Sequence, residues 1–239
     1  MGWTDTNQEW RVHPHGEWVE LGEHAWAIRG ELPDMPLGRW MVVARQEDGR
    51  LVIHNAMALD ESCMSTLDSW GEVGRIIVPN GLHRLDSPAF AARYPEAEVY
   101  CPSGALKRVS KVVSVAGVLA EFPHDARVKY QALPGTGGAE GVLHITGSDG
   151  ATLVFTDAIF NLPHQPGVQG WFYRWVTAST GGPKVTRVFR LMCVKDGPLL
   201  AKTLHELANT PDLRRIIVAH GDIIDQGPSE VLRSVADTV

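Results

Sequence analysis

Residues 75–86 read RIIVPNGLHRLD, and this stretch decides how the rest of the chain is interpreted. Its apolar run at 76–78 is typical of a short buried strand. Pro79 ends that strand and predicts a loop. The loop carries Asn80 and His83, two side chains that can take part in chemistry. The stretch therefore predicts a buried strand whose end presents polar groups.

Two other predicted strands also end in polar residues. Asp157 follows the apolar run at 153–155, and His220 follows the run at 216–218, with Asp222 two residues further on. Strand ends meet at one edge of a sheet, where layered folds build their sites. Histidine and carboxylate side chains from three such ends are candidate ligands of one metal ion. The alternative is structural, because the same residue types are common in turns.

The pattern of predicted elements indicates the fold class. The Asp-Gly dipeptide at 48–49 separates two β-rich runs and predicts a hairpin. Apolar spacing at 60–70 predicts a helix with Asp60 or Ser62 as its N-cap, and Ser229 is the predicted cap of the last helix. Further strands are predicted at 75–78, 98–101, 128–132, 141–146, 152–156 and 213–219, and further helices at 88–94, 103–109, 185–194, 198–208 and 229–236. Because the strands come in groups, we expect an α+β fold, a sandwich of mixed sheets flanked by helices.

The composition is that of an ordinary globular protein. The 239 residues include 22 Lys and Arg and 28 Asp and Glu, a formal net charge of −6. There is no basic block to neutralise nucleic-acid phosphates. No apolar run approaches the ~20 residues that span a bilayer, and the N-terminus lacks the layout of a signal peptide. We expect a cytoplasmic protein with one domain over 1–239, of which 1–20 is an N-terminal extension, and no nucleic-acid or membrane partner.

Several enzyme classes lose support from missing motifs. The chain has no Gly-x-Ser-x-Gly elbow, no Walker phosphate loop and no Gly-x-Gly-x-x-Gly after a strand. This disfavours serine hydrolases, nucleotide hydrolases and dinucleotide-dependent oxidoreductases. Cys63, Cys101 and Cys193 have no metal-ligand spacing and are interpreted as small core residues.

Three segments carry a family resemblance. They are Pro-Asn-x-x-His at 79–83, Ala-x-x-Tyr-Pro-x-Ala at 91–97 and Thr-Asp-x-x-Phe-Asn at 156–161. With the Ala-His-Gly-Asp segment at 219–222, the chain resembles the metallo-β-lactamase fold superfamily over about residues 20–235. It looks like a bacterial branch that lacks most of the usual metal-binding histidines. The resemblance implies a four-layer αβ/βα sandwich with a site between the sheet edges.

The resemblance also implies which ligand positions have changed. The family's His-x-His-x-Asp-His cluster falls on residues that cannot reproduce it: Asn80, Leu82, Arg84 and Leu85. Thr136 stands where the next histidine is expected, while Asp157 and His220 match the remaining ligands. His83 lies one residue beyond the second histidine position and could complete a three-ligand site. His83, Asp157 and His220 would then hold one divalent ion, such as zinc, iron or manganese; the alternative is that no metal binds.

Other polar residues are candidate members of the cleft or supports of the ligands. They are Asn80, Asp86, Asp222, His164 and His54. Asp222 could orient His220 by accepting a hydrogen bond from its ring. His54 ends a predicted strand, and a buried structural role is its alternative.

An aromatic cluster is the last feature. Residues 171–175 read WFYRW, which could line a pocket, form a dimer contact or pack on the core. The expected partners are a small-molecule substrate or ligand and, through such a contact, a second copy of the chain in a homodimer.

Two functions therefore remain open. The first is a metal-dependent hydrolase of a small ester, amide, thioester or phosphoester, with no residue assigned as proton donor. The second is a catalytically inactive binding or scaffolding domain of the same fold. Asp157 and His220 favour the first, whereas Leu82, Leu85 and Thr136 favour the second. Metal content discriminates between them.

Overall fold

The computed structural model describes residues 9–33, 35–164, 166–167, 171 and 175–239. Its strands are β1 (Val19–Glu20), β2 (Ala25–Leu32), β3 (Met35–Arg45), β4 (Leu51–His54), β5 (Val73–Ile77), β6 (Glu98–Cys101), β7 (Gly117–Val118), β8 (Val128–Ala132), β9 (Gly141–Gly147), β10 (Gly150–Phe155) and β11 (Leu213–Val218). Its helices are α1 (Glu61–Trp70), α2 (Ser87–Arg93), α3 (Leu106–Val109), α4 (Arg187–Met192), α5 (Gly197–Leu207) and α6 (Pro228–Ala236).

The strands form two mixed sheets. The first has the order β1-β2-β3-β4-β5-β6-β7 and the second the order β11-β10-β9-β8. In the first sheet, β1 to β4 pair antiparallel and β4 to β7 pair parallel. In the second, β10 pairs parallel with β11 and antiparallel with β9. The hairpin predicted at 48–49 joins β3 to β4.

Alternation along the strands divides the interior into three apolar layers. Val42 and Ile77 lie in the layer between the sheets, whereas their neighbours Val43 and Ile76 face α1 and α2. In the second sheet, Val154 points to the other sheet, and its neighbours on β10 pack against α4, α5 and α6. Successive side chains point to opposite faces, so each central strand serves two layers. The predicted arrangement of two mixed sheets with helices on the outer faces is confirmed.

The N-cap of α1 is one of the predicted residues, whereas the N-cap of α6 is not. Of the two candidate caps of α1, Asp60 and not Ser62 is the N-cap, its carboxylate accepting the Cys63 N–H at 2.9 Å. The prediction of Ser229 as the cap of α6 is wrong, because the N-cap is Gly227 at φ 56°. Pro228 can occupy the first helical position, where its missing N–H costs no hydrogen bond, so the helix begins earlier.

Residues of the expected N-terminal extension pack on the first sheet and α1. Trp10 Nε1 donates to the Leu59 carbonyl at 2.8 Å, and Trp18 Nε1 donates to the Cys63 carbonyl at 3.1 Å. In the described part of the chain, no helix is long and apolar enough to cross a membrane.

Candidate metal centre

The three predicted ligands meet between the ends of the two sheets. His83 Nε2 lies 3.1 Å from Asp157 Oδ1, and His220 Nε2 lies 3.5 Å from the same oxygen. The two Nε2 atoms are 3.3 Å apart. His83 comes from the loop after β5, Asp157 follows β10 and His220 follows β11. The structure therefore brings together three residues that are distant in sequence, in a group able to hold a metal ion.

Hydrogen bonds at the far side of each ring set the imidazole tautomers. His83 Nδ1 lies 3.0 Å from Asn55 Oδ1, and His220 Nδ1 lies 2.8 Å from the Gly38 carbonyl. Asn55 is oriented by its amide nitrogen, which donates to the Trp40 carbonyl at 2.7 Å. Both partners are acceptors, so both protons belong on Nδ1. Each Nε2 then turns a lone pair toward the centre, the arrangement found in metal-binding histidines.

Charge favours the ligand forms of these groups. Burial, followed by the neighbouring His83, lowers the pKa of His220 to about 4, so this imidazole is neutral at pH 7. Burial alone would raise the pKa of Asp157, but His83, His220 and the Asn80 amide hold it well below its ordinary value. Two lone pairs and a carboxylate oxygen thus face one another, and such a set is stable only around a shared cation, a metal ion or a proton.

Asn80 closes the loop that carries His83. Its Oδ1 accepts the N–H groups of Leu82 and His83 at 2.8 and 3.0 Å, and its Nδ2 donates to Asp157 Oδ2 at 2.8 Å. This turn directs the His83 ring inward, while the Leu82 side chain is 53% exposed. Asn80 is therefore both the turn-forming residue and a cleft residue that holds a ligand.

Glu140 supports the Asp157 turn, and sequence reasoning missed it. This fully buried carboxylate accepts the backbone N–H groups of Thr156, Asp157 and Ala158 at 2.8–3.2 Å. Burial and the neighbouring Asp157 raise the pKa of Glu140. The available signal was an acidic residue in the Gly-rich stretch just before β9.

Two further supports were also missed, Asn55 and Gly38. Asn55 follows β4 at φ 61°, a conformation that Asn tolerates better than most residues, so an Asn after a strand was a weak signal. Gly38 contributes a backbone carbonyl, for which the sequence holds no signal.

The motif at 156–161 connects the loops of Asp157 and His220 in the structure. The Phe160 ring meets the His220 ring edge-on, with centroids 5.0 Å apart. The Asn161 N–H donates to the His220 carbonyl at 3.1 Å, and its side-chain amide donates to the Asp222 carbonyl at 2.8 Å. One short segment thus supplies Asp157 and holds the loop of His220.

Two predicted supports are engaged elsewhere. Asp86 forms a buried ion pair with Arg39. Asp222 pairs with Arg29 at 3.3 Å. The prediction that Asp222 orients His220 is wrong, because the Gly38 carbonyl occupies that position on the ring.

The remaining predicted histidines are not members of the group of three candidate ligands. His164 Nδ1 lies 3.1 Å from Thr180 Oγ1. His54 is buried against the edge of the Tyr130 ring, with centroids 6.1 Å apart, and neither ring nitrogen has a partner among the described residues. Burial, followed by the charge of His83, lowers the pKa of His54 to about 3.

Thr136 and Arg84, at two positions where the resemblance implies that a metal ligand has changed, both donate to backbone carbonyls. Thr136 is buried and donates to the Leu133 carbonyl at 2.7 Å. Arg84 donates to the Arg108 carbonyl at 3.0 Å. Among the described residues, one other group has metal-ligand chemistry, His15, Asp60 and Cys63.

The aromatic cluster at 171–175 lies largely outside the described residues. Of its members, Trp171 and Trp175 are described and are 60% and 58% exposed. The homodimer contact expected there stays a prediction.

Comparisons with known proteins identify the fold. No protein-family model matches the chain, and no curated protein matches its sequence. Among solved structures, the metallo-β-lactamase from Hirschia baltica matches with 15% identity and a TM-score of 0.59, over 93% of this chain and 98% of that one. The metallo-β-lactamase from Pontibacter korlensis matches with 11% identity and a TM-score of 0.59, over 93% and 99%. The chain therefore has a metallo-β-lactamase-like fold over nearly its whole length.

Proposed function

We propose that the chain is a metal-dependent hydrolase with a single-ion centre held by His83, Asp157 and His220. The observation that carries this proposal is the direction of the two imidazole protons. Each Nδ1–H is bonded to a carbonyl oxygen, so both Nε2 lone pairs and Asp157 Oδ1 converge without a donor between them. A divalent cation satisfies all three acceptors at once.

The donor set fits the proposed ion. Two neutral imidazole nitrogens and one carboxylate suit zinc, iron or manganese and leave coordination positions open. A divalent ion at such a site supplies a Lewis acid and activates water for attack on an ester, amide, thioester or phosphoester. Asn55 and the Gly38 carbonyl maintain the ligand tautomers, while Asn80 and Glu140 hold Asp157 in place.

One ion per chain is the proposed stoichiometry. An ion needs about four ligands, including water, and a second one would need donors beyond the three already engaged. The family positions that would supply them carry Leu82, Arg84 and Thr136, and Thr136 uses its hydroxyl on the protein backbone. No described residue is assigned as proton donor to the leaving group.

Elemental analysis tests the proposal. The protein is purified without added metal or chelator, and metal per chain is measured for the parent, His83→Ala and His220→Ala. We expect close to one ion in the parent and loss in both variants, while the exposed His124→Ala, a matched control, keeps it. Two ions per chain, or unchanged content in His220→Ala, would contradict the ligand set. Hydrolysis of p-nitrophenyl acetate and p-nitrophenyl phosphate should disappear with chelator and return with metal.

The second candidate is an inactive binding domain in which a proton takes the place of the cation. Asp157 Oδ1 lies 3.1 Å from His83 Nε2, so a doubly protonated His83 would satisfy that pair. The exposed side chain of Leu82 at a family ligand position favours this candidate. A parent protein that takes up no zinc, iron or manganese under any loading condition would support it.

A further inference from the structure

Three basic side chains, the rim cations, come from elements next to the candidate metal centre: Arg84 from the loop of His83, Arg108 from α3 and Lys195 from the segment between α4 and α5. Arg84 is half-buried, and the other two side chains are exposed. None of them belongs to the proposed ligand set, and their charge contrasts with the chain's net charge of −6.

Arg84 and Arg108 are held beside the turn that carries His83. The Arg84 guanidinium donates to the Arg108 carbonyl at 3.0 Å. The Arg108 side chain packs on Gly81 so closely that a Cβ at that glycine would lie 2.7 Å from Arg108 Cδ. Gly81 directly follows Asn80, so Arg108 packs on the turn that carries His83, and Arg84 is anchored to Arg108 beside the same turn.

Lys195 packs against the loop at 135–138, which leads into the second sheet. Its N–H donates to the Gly135 carbonyl at 2.8 Å, and a Cβ at Gly137 would lie 2.9 Å from Lys195 Cγ. The adjacent Gly138 carbonyl accepts the Gly104 N–H at 2.9 Å, two residues before α3, on which Arg108 lies. These contacts join the loops into one surface.

Electrostatics at Cys193 supports this proximity. Burial first, then Glu140 and Asp157, raise the pKa of the half-buried Cys193 thiol to about 11, while Lys195 and Arg108 act in the opposite direction. The two site carboxylates and the two cations therefore influence the same point in the protein.

The rim cations lack carboxylate partners in the part of the chain that the structure describes. None of the three forms an ion pair there, and Lys195 Nζ makes a single contact, to the Met192 carbonyl at 3.4 Å. The carboxylates nearest in sequence are engaged elsewhere: Asp86, beside Arg84, pairs with Arg39, and Asp196, beside Lys195, accepts the Leu199 N–H at 2.9 Å. Because these three charges have no ion-pair partner among the described residues, an anion bound beside them would gain a favourable electrostatic interaction.

We propose that Arg84, Arg108 and Lys195 bind an anionic group of the substrate beside the metal centre. The proposal rests on the hydrolase function and specifies its substrate class: a hydrolysable compound that also carries a carboxylate or phosphate. Guanidinium groups suit this role because their planar donors match the oxygens of both anions. Lysine adds a mobile point charge at the edge.

Calorimetric titration with inorganic phosphate and, separately, succinate tests the proposal at constant ionic strength. Chelator-treated protein is used as well as metal-loaded protein, so that anion binding is measured independently of the metal. We expect saturable binding in both forms. Charge removal in the variant R84Q/R108Q/K195Q should weaken it by more than about tenfold, since a hydrogen bond to a charged group contributes roughly a tenfold factor or more. Lys129→Gln and Lys202→Gln, exposed lysines elsewhere, should bind like the parent.

The outcomes separate this proposal from the metal proposal. Binding of one anion but not the other identifies the group recognised. Equal affinities in parent and triple variant, or no saturable binding of either anion, would overturn the subsite even if metal analysis succeeds. If the triple variant fails to fold, Lys195→Gln alone is measured. This variant should fold, because the exposed Lys195 side chain packs little, and it should still weaken binding. In the parent, raising salt should reduce the preference for p-nitrophenyl hemisuccinate over p-nitrophenyl acetate, expressed as the ratio of kcat/KM.

Discussion

The direction of two imidazole protons determines what the cluster at the sheet edges can bind. His83 and His220 each present a lone pair because a carbonyl oxygen holds the opposite ring nitrogen. Were either ring reversed, its N–H would face the centre and repel a cation. The residues behind the ligands therefore matter as much as the ligands themselves.

Removing the acceptor behind His83 should weaken metal binding without removing a ligand. Asn55→Gly keeps the positive φ accessible and deletes the oxygen that accepts from His83 Nδ1. We expect a loss of about 10- to 100-fold in metal affinity, the usual effect of deleting such a support. Competition with a chromogenic chelator measures it. Asn55→Asp retains an acceptor and serves as the matched control; wild-type affinity in Asn55→Gly would refute the argument.

His54 should make the protein less stable as pH falls. The unfolded chain binds a proton at the ordinary histidine pKa of 6.5, whereas burial lowers the pKa of folded His54 to about 3. The part of the free energy of unfolding that is linked to His54 is thus fully present above pH 6.5. It is lost as pH falls toward 3, by up to about 1.4 kcal/mol per pH unit. Urea unfolding of His54→Leu at pH 7, 6 and 5 should show a shallower decline than the parent. His124→Leu, at an exposed position, should not, and parallel profiles for His54→Leu and parent would count against the prediction.

At the scale of elements, the two assigned helix caps predict different effects of removing Asp60 and Ser229. Asp60→Ala removes the acceptor of the Cys63 N–H and should lower the free energy of unfolding by about 1 kcal/mol. Ser229→Ala should leave it nearly unchanged, because Gly227 and not Ser229 is the N-cap of α6. Chemical denaturation of both variants measures the contrast. An equal loss in the two would contradict the cap assignments.

Elements with a strong local pattern were predictable from the sequence. The strands at 98–101 and 128–132 have the predicted bounds, since each is a short apolar-rich run between clear breaks. The two-residue β1 and β7 were not predicted, because two residues carry no periodicity. Their pairing is decided by neighbouring strands rather than by their own sequence.

In the candidate site, too, one part could be predicted from the sequence and another could not. Strand ends and a family resemblance predicted His83, Asp157 and His220 as a group. Their supports depend on distant contacts: the Gly38 carbonyl lies 182 residues before His220, and no residue pattern encodes that pairing. Glu140 acts through the N–H groups of a turn 16 to 18 residues away, which only the folded backbone brings to it.

At the scale of the whole molecule, the candidate metal centre lies where the two sheets meet. His83 follows β5, a strand of the first sheet, while Asp157 and His220 follow β10 and β11 of the second. The three loops already contact one another through Asn80 and Asp157 and through Asn161 and the Asp222 carbonyl, and the three candidate ligands reach one point from strands of both sheets. A bound ion would thus join the two halves of the sandwich in the folded state, and the unfolded chain would not hold the ligands together.

Metal binding should therefore raise the stability of the whole protein. A ligand that binds only the folded state at 100 times its Kd adds about 2.7 kcal/mol to the free energy of unfolding. We expect zinc to raise the melting temperature of chelator-treated protein in a concentration-dependent way, measured by differential scanning calorimetry. His220→Ala should fold but show no such rise, whereas the exposed His124→Ala should respond like the parent. Because the ligands come from both sheets, the shift should appear in one cooperative transition; a zinc response confined to a separate, smaller transition would mean that the ion does not connect the sheets.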